Sequence, residues 1–225
     1  MNKISVIITA GGIGKRMGGD LPKQFIHLSG KPILLRTLEC FHSIDSNFEL
    51  VITLPNDWHD YWKTMLKEFN CDIPHTIVAG GEERFHSIKN ALEACAGEYI
   101  FVHDGVRPFV AKEIIQACMN SLKMNEAVVP VLPIKESIRE RHGNATSAVD
   151  RSNFMLVQTP QCFRSSVLRD AYNLDYHSGI TDDASLVESL GIEIQLVGGN
   201  EDNIKITTQK DLIIAEAILA NQNKE

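Results

Sequence analysis

Three cations lie among glycines near the start of the chain. The segment at residues 4–25, ISVIITAGGIGKRMGGDLPKQF, passes from apolar residues into glycines and carries Lys15, Arg16 and Lys23. A glycine-rich turn after a buried strand presents backbone N–H groups and has no Cβ atoms to keep a phosphate away. The glycine spacing fits neither a Walker loop nor a dinucleotide fingerprint. The segment predicts an anion site, and a surface turn with solvated cations is the alternative.

A second polar group follows an apolar run in FVHDGVRPF, residues 101–109. Asp104 at the carboxyl end of a strand is placed to hold Mg²⁺, which favours carboxylate and phosphate oxygens. Arg107 offers a planar fork for a phosphate. In the alternative, Asp104 caps the next segment or pairs with Arg107. His103 directly follows apolar residues, so we expect a buried supporting group and not a catalyst.

A third segment, VAGGEERFHS at residues 78–87, ends an apolar run with Gly80 and Gly81 and begins a helical pattern near Ser87. Backbone groups of such a double-glycine turn can contact the edge of a base, and the Ser87 hydroxyl would complete that pattern. A capped turn between strand and helix is the alternative.

Two further segments carry polar side chains beside apolar runs. In DRSNFMLVQTPQCF, residues 150–163, Arg151, Thr159 and Gln161 flank the apolar part. In EDNIKITT, residues 201–208, we expect Lys205 in a short strand between two isoleucines. Side chains alternate along a strand, so the lysine must point away from both isoleucines, and a solvent-facing lysine is the alternative.

No activated nucleophile accompanies these groups. The chain has no G-x-S-x-G, no H-E-x-x-H and no cysteine with an obvious histidine partner. Several cations and one well-placed carboxylate suit phosphoryl or nucleotidyl transfer, in which catalysis is mostly positioning and charge neutralisation. Hydrolases and hydride-transfer enzymes are disfavoured.

Composition limits the partners. The 225 residues include 22 Lys+Arg and 29 Asp+Glu, and the net charge of −7 disfavours binding to nucleic acid or an anionic membrane. No apolar run approaches the roughly 20 residues that cross a bilayer. Five cysteines with no C-x-x-C pair predict reduced thiols and a cytoplasmic location.

Val- and Ile-rich runs alternate with segments of helical period as far as residue 133. Strands are expected at 4–10, 48–55, 75–80, 98–104 and 127–133, and helices at 32–44, 57–69, 84–96 and 111–123. This order predicts an α/β domain with a parallel sheet covered by helices on both faces. Residues 134–157 are polar with a His-Gly-Asn turn, which predicts a two-stranded arm. We expect one domain over residues 1–225, with the arm at about 134–157.

Six motifs, in order from residue 4 to about 219, resemble one family. They are AGGIGKRM…LPKQF, GGEERFHS, VHDGVRPF, VDRSNFMLVQTPQCF, TDDASLVE and DNIKIT. The first is similar to the signature loop of sugar-phosphate nucleotidyltransferases, and the set resembles 2-C-methyl-D-erythritol 4-phosphate cytidylyltransferases. The resemblance implies a Rossmann-like, mostly parallel α/β sheet with a β-arm that exchanges across a homodimer. It also implies transfer of CMP from CTP to methylerythritol phosphate, with Mg²⁺ as the metal and release of pyrophosphate.

The resemblance further implies roles for single residues. Arg16 and Lys23 would stabilise the transition state at the α-phosphorus, and Asp104 would hold Mg²⁺. The rest of the CTP site would comprise Ala10, Gly11, Gly12, Gly14, Gly81, Ser87 and Gly105. The sugar phosphate would be held by Arg107, Ser137, Arg151 and Thr159, and Lys205 and Arg151 would position it for attack. Ser137 and Arg151 lie on the arm and would come from the other subunit, whereas Lys15 matches no required position.

Two positions depart from the family pattern. Ser137 stands where threonine is frequent, and Gly105 stands where alanine is common. Two alternative functions stay open at this point: a ribitol-5-phosphate cytidylyltransferase, whose early loop is equally similar, and a non-catalytic nucleotide-binding regulator.

Overall fold

The structure is a computed structural model that describes residues 3–12 and 21–222. Gly14, Lys15 and Arg16 of the predicted anion loop lie outside the described residues. Within the described part of the chain, no helix is long and apolar enough to cross a membrane.

One mixed sheet organises the chain. Its strands are β1 (Ile4–Thr9), β4 (Glu49–Leu54), β5 (Thr76–Ala79), β6 (Tyr99–Asp104), β7 (Ala127–Pro133), β10 (Met155–Val157), β11 (Gln161–Arg164) and β12 (Ile194–Gly198). Strands β5, β4, β1 and β6 are parallel neighbours in that order, and β12 is parallel to β7. Strand β11 lies antiparallel between β6 and β7, and β10 continues antiparallel along β7. The expected mostly parallel sheet is confirmed, although β11 was not predicted as a strand.

Helices cover the sheet. They are α1 (Ile33–Ile44), α2 (His59–Glu68), α3 (Arg84–Leu92), α4 (Lys112–Leu122), α5 (Ser165–Tyr172), α6 (Asp183–Glu188) and α7 (Gln209–Gln222). Two short strands, β2 (His27–Leu28) and β3 (Lys31–Pro32), pair before α1. Helix α3 ends earlier than the periodicity predicts, because the N–H groups of Ala94 and Cys95 bond to carbonyls three residues back and close a turn.

The core lies on both faces of the sheet. Along β1, Val6 and Ile8 belong to one buried cluster and Ile7 belongs to another, because successive side chains point to opposite faces. All three are completely buried. The uninterrupted apolar runs of the sequence therefore correspond to strands covered on both sides, as predicted.

The polar segment at 134–157 contains the expected hairpin. Strands β8 (Arg139–His142) and β9 (Ala145–Ala148) pair antiparallel around a turn in which Gly143 has a φ of +62°. Every residue of both strands is exposed. The hairpin therefore lies outside the core.

The strand expected around Lys205 is wrong. Residues 203–207 form no strand, because the N–H groups of Asn203 and Ile204 are used in local turns with Asn200 and Asp202. One backbone bond, from the Ile206 N–H to the Val106 carbonyl at 3.0 Å, attaches the segment to the residues that follow β6. Ile206 is buried, whereas Lys205 is exposed.

A half-buried histidine directly before β5 gives a test at low pH. Trp62 Nε1 donates to His75 Nε2 at 3.0 Å, and His75 Nδ1 lies 2.8 Å from the Ile73 carbonyl, so the ring is held neutral. Burial lowers the pKa of His75, so the unfolded chain takes up this proton before the folded one. We expect the free energy of unfolding to fall as the pH drops below about 6.5. Urea titrations at several pH values should show a shallower decline for His75→Gln, and identical slopes would contradict this account.

Candidate active site

The main cavity, of about 740 Å³, lies at the carboxyl ends of the parallel strands. This is the edge at which α/β sheets bind their ligands. Eight predicted site residues line it: Ala10, Gly11, Gly12, Lys23, Gly81, Ser87, Asp104 and Lys205. Four of the five segments described in the sequence analysis therefore meet at one place.

The start of the glycine loop is clamped by backbone and side-chain bonds. The Ala10 N–H donates to the Thr53 carbonyl at 3.0 Å, and Gln24 Nε2 donates to the Ala10 carbonyl at 2.6 Å. A Cβ at Gly11 would lie 3.6 Å from Ser87 Oγ, and one at Gly12 would lie 3.7 Å from Lys23 Cε. The loop backbone thus passes between the serine hydroxyl and the lysine without intervening side chains.

The double-glycine turn is built around Ser87. Its hydroxyl accepts from the Gly81 N–H at 3.0 Å and donates to the Glu83 carbonyl at 3.2 Å. A Cβ at Gly81 would lie 2.3 Å from the Cβ of His86, which is closer than real carbon contacts allow. Glycine is therefore required at this turn for packing as well as for any contact with a ligand.

Asp104 ends β6 among cations. Its carboxylate accepts from Arg107 Nε at 2.9 Å and lies 3.1 Å and 3.2 Å from Lys205 Nζ. Burial alone would favour the neutral acid, but the charges of Lys205 and Arg107 outweigh it and hold the pKa of Asp104 well below its usual range. The group is a carboxylate at any working pH and is available to a metal or to the lysine.

Two predicted substrate residues, Thr159 and Arg107, bond to Asp104 and do not line the cavity. Thr159 Oγ1 accepts from the Asp104 N–H at 3.1 Å and lies 3.1 Å from His103 Nδ1. Because the Arg107 carbonyl accepts from His103 Nε2 at 2.9 Å, the neutral histidine receives the threonine proton at Nδ1. Burial lowers the pKa of His103 to about 4, so this chain of bonds stays intact at neutral pH. The supporting role expected for His103 fits this position.

Arg107 uses its fork within the protein. Besides Asp104, it donates from Nη1 to the Asn203 carbonyl at 2.7 Å, and so joins the end of β6 to the segment that carries Lys205. Pairing with Asp104, one of the two alternatives left open by the sequence, is what the structure shows.

Gly105 follows Asp104 at the end of β6, where a Cβ would meet the Thr9 carbonyl oxygen at 2.9 Å and Leu34 Cδ1 at 3.0 Å. The alanine common in the family would thus need a small shift here.

The arm residues lie apart from the cavity of their own chain. Ser137 and Arg151 are exposed, and Arg151 Nη1 donates to the Lys135 carbonyl. Neither side chain lines the cavity.

Sequence reasoning missed several residues of the cavity wall. These are Gln24, Thr53, Asp57, Trp58 and Arg84. Gln24 Oε1 and Thr53 Oγ1 are buried and have no hydrogen-bond partner among the described residues. Gln24 and Arg84 stand inside motifs that were noticed, PKQ and GGEER, but nothing in a local pattern shows which side chains turn inward.

The described residues contain no group of three or more His, Cys, Asp or Glu side chains arranged to hold a metal ion. Asp104 nevertheless fits Mg²⁺, because this ion is commonly bound by one or two carboxylates together with substrate phosphates. An ionised carboxylate beside a cavity rich in backbone N–H groups and lysines provides that half of the donor set.

Glycine backbone, lysines and a carboxylate at the carboxyl ends of parallel strands are the arrangement of nucleotide-binding α/β proteins. A family model described as IspD, 2-C-methyl-D-erythritol 4-phosphate cytidylyltransferase, matches residues 4–221. The chain belongs to this cytidylyltransferase family, and the resemblance found in its motifs is confirmed.

Similar proteins agree over nearly the whole length. A 2-C-methyl-D-erythritol 4-phosphate cytidylyltransferase of Phocaeicola vulgatus is 46% identical, with 95% of this chain and 98% of the relative covered. Another, of Bacteroides fragilis, is 44% identical over 96% of this chain and 99% of the relative. The crystal structure of 4-diphosphocytidyl-2C-methyl-D-erythritol synthase from Anaerococcus prevotii has a TM-score of 0.83 at 30% identity and covers 97% and 96% of the two chains.

Proposed function

We propose that this protein transfers CMP from CTP to 2-C-methyl-D-erythritol 4-phosphate, giving 4-diphosphocytidyl-2-C-methyl-D-erythritol and pyrophosphate in non-mevalonate isoprenoid synthesis. The observation that carries the proposal is the cavity that gathers the glycine loop, Lys23, Lys205 and Asp104 at one sheet edge. A pyrophosphate-release assay with CTP and either methylerythritol phosphate or ribitol 5-phosphate tests it. We expect turnover with the first acceptor, and faster turnover with ribitol 5-phosphate would instead support the ribitol alternative, which the relatives do not favour.

The chemistry needs little more than charge control. The phosphate of the acceptor is already an anionic nucleophile at neutral pH, so no general base is required. Its oxygen forms a bond to the α-phosphorus of CTP while the bond from that phosphorus to the bridging oxygen breaks and pyrophosphate leaves. The barrier lies in bringing two anions together, and preorganised cations lower it. Lys23 and Arg16 are proposed for the triphosphate, with Arg16 taken from the family resemblance alone.

Asp104 and Lys205 would divide the remaining work. Mg²⁺ bound to Asp104 and phosphate oxygens would supply further charge neutralisation at the triphosphate. Lys205, 43% exposed at its side chain, can leave Asp104 for the acceptor phosphate without unfavourable burial. Arg107 and Thr159 stay predictions as acceptor contacts, supported by their position directly behind Asp104.

Base recognition would use the turn at Gly81. We propose that backbone groups of Gly81 and neighbouring Ser87 contact the cytosine, with Ala10, Gly11, Gly12, Gly14 and Gly105 completing the nucleotide site. A Cβ placed on Gly11 would lie 3.6 Å from Ser87 Oγ, which supports a continuous polar surface there.

Replacing Gly81 tests the tightness of this turn. Gly81→Ala places a Cβ against His86, so we expect a loss of about 1–3 kcal/mol in the free energy of unfolding and a raised KM for CTP. Gly198→Ala is the matched control, because a Cβ there meets nothing within 4 Å. Thermal melts and CTP titrations of both variants provide the comparison, and equal behaviour would refute the packing argument.

A homodimer would complete the acceptor site. Four consecutive apolar residues at the end of the arm, Phe154, Met155, Leu156 and Val157, are 45%, 45%, 53% and 48% exposed. Such a patch favours burial against a second copy of the chain. Exchange of the arms would carry Ser137 and Arg151 to the partner's cavity, which fits the distance of both residues from the cavity of their own chain.

A cytoplasmic location is proposed from the five free cysteines.

A further inference from the structure

No residue of the TDDASLVE motif lines the main cavity, and the second aspartate of the motif points inward. Asp182 caps α6 by accepting from the Ser185 N–H at 2.9 Å. Asp183, the next residue, is completely buried. The two carboxylates of this motif therefore have different roles. Asp182 caps the helix, whereas capping does not account for the buried Asp183.

The partner of Asp183 is Arg84, the first residue of α3. The guanidinium donates from Nη1 to Oδ1 at 2.9 Å and from Nη2 to Oδ2 at 2.5 Å, a bidentate pair across 99 residues of sequence. Tyr172 Oη donates to the same Oδ1 at 2.6 Å. Burial lowers the pKa of Arg84, but the charge of Asp183 more than restores it, so the pair is ionised.

Arg84 stands in the wall of the main cavity. Its side chain also lines a second, smaller cavity of about 60 Å³ that includes Tyr172 and Asp182. The residue directly follows the turn at 81–83, whose backbone is the proposed reader of the base. Whatever holds Arg84 therefore also holds one end of that turn.

The energetics point to positioning and not to stability. Asp183 is completely buried, whereas the Arg84 side chain is 35% exposed. An ion pair that loses hydration on burial is often no more stabilising than apolar residues of the same volume. A bidentate guanidinium–carboxylate pair does fix geometry, since both groups are planar and only one arrangement makes both bonds. Its charges also cancel, so Arg84 adds little net positive charge for a triphosphate.

We propose that Asp183 is a positioning residue of the nucleotide site. Through Arg84 it locks the N-terminus of α3, and with it the turn at 81–83, in the form that receives the base of CTP. The hydrogen bond from Tyr172 Oη fixes the orientation of the Asp183 carboxylate. The inference rests on the proposed function and adds a residue pair from α3 and α6 to it.

Two variants separate positioning from other roles. Asp183→Asn keeps the shape but leaves Arg84 without its counter-ion, and Arg84→Lys keeps the charge but loses the fork. We expect each to raise the KM and the calorimetric Kd for CTP about tenfold, with the KM for methylerythritol phosphate within about twofold. The double variant should bind CTP no more weakly than the weaker-binding single variant, because the two substitutions break the same contact.

The matched control is Asp182→Asn, in the neighbouring carboxylate. Asparagine keeps the helix cap and loses only the bond that Asp182 Oδ2 accepts from Gln161 Nε2 at 2.7 Å, so CTP affinity should not change. If Asp183→Asn fails to fold, Arg84→Lys decides alone, because it leaves Asp183 paired with an ammonium. A lowered Tm with unchanged CTP affinity in Arg84→Lys would overturn the proposal. Tighter CTP binding by Asp183→Asn would overturn it too, because it would make Arg84 a phosphate-binding cation.

The same experiment distinguishes a failure of the proposed function. Wild-type pyrophosphate release is measured first, and its absence with methylerythritol phosphate would refute the reaction. Calorimetric CTP binding needs no turnover, so the role of Asp183 is judged from the binding data in either case.

Discussion

Lys23→Ala is expected to lower kcat by about 10²–10³ with the fold intact, because each preorganised donor aimed at developing charge contributes on that order. Lys23 begins the short helix Lys23–Phe25 and lines the cavity next to Gly12. The negative charge that builds up as the acceptor phosphate approaches the α-phosphorus would lose its fixed counter-charge. Gln24 and Phe25 stay buried and hold the backbone, so the loss should fall on the rate and not on stability.

Steady-state kinetics with circular dichroism and a thermal melt check this prediction. Lys63→Ala is the control, because Lys63 is 59% exposed in a surface pair with Asp60 and such pairs contribute little. Arg16→Ala should behave like Lys23→Ala, from the family resemblance. Turnover of Lys23→Ala near the wild-type rate would show that the cavity does not work as proposed.

A mixed dimer should recover activity that both parent variants have lost. Arg151→Ala alone should weaken binding of the acceptor phosphate and leave CTP binding nearly unchanged, because Arg151 is proposed to contact the acceptor in the partner's cavity. In a dimer of one Lys23→Ala subunit and one Arg151→Ala subunit, one site then carries both lesions and the other carries neither. Purified heterodimers should show about half of the wild-type activity per dimer.

The control is a dimer of Lys23→Ala with Lys205→Ala. Both lysines line the cavity of their own chain, so each site keeps one lesion and no recovery is expected. Two differently tagged subunits, co-expressed and purified in sequence, provide both heterodimers for the pyrophosphate assay. Equal, low activity in both would mean that Arg151 serves its own subunit and that the arms do not exchange.

Much of the fold could be predicted because its signals are local. The continuous apolar run of β1 and the helical periods of α1 and α4 required only the neighbouring residues to be recognised. Strand β11 was missed because its place between β6 and β7 depends on pairing with distant strands. The segment at Lys205 was overestimated, since alternation alone does not show that its N–H groups are used in turns.

The site was predictable to the extent that its residues stand in recognisable motifs. Asp104 and Lys205 were found separately, but their contact at 3.1 Å joins positions 101 residues apart. The pairing of Arg84 with Asp183 is equally distant in sequence and had no local sign. Burial and charge pairing decide which side chains of a motif turn inward, and both belong to the folded chain.

The measurement that tests the central claim most directly is pyrophosphate release with methylerythritol phosphate and each of CTP, ATP, GTP and UTP. A site whose backbone reads the base should turn over CTP fastest, by about 10²-fold over the purine nucleotides. Methylerythritol phosphate should be consumed in equal amount to the pyrophosphate formed. No release with CTP, or equal rates with all four nucleotides, would contradict the assignment of this cavity to cytidylyl transfer.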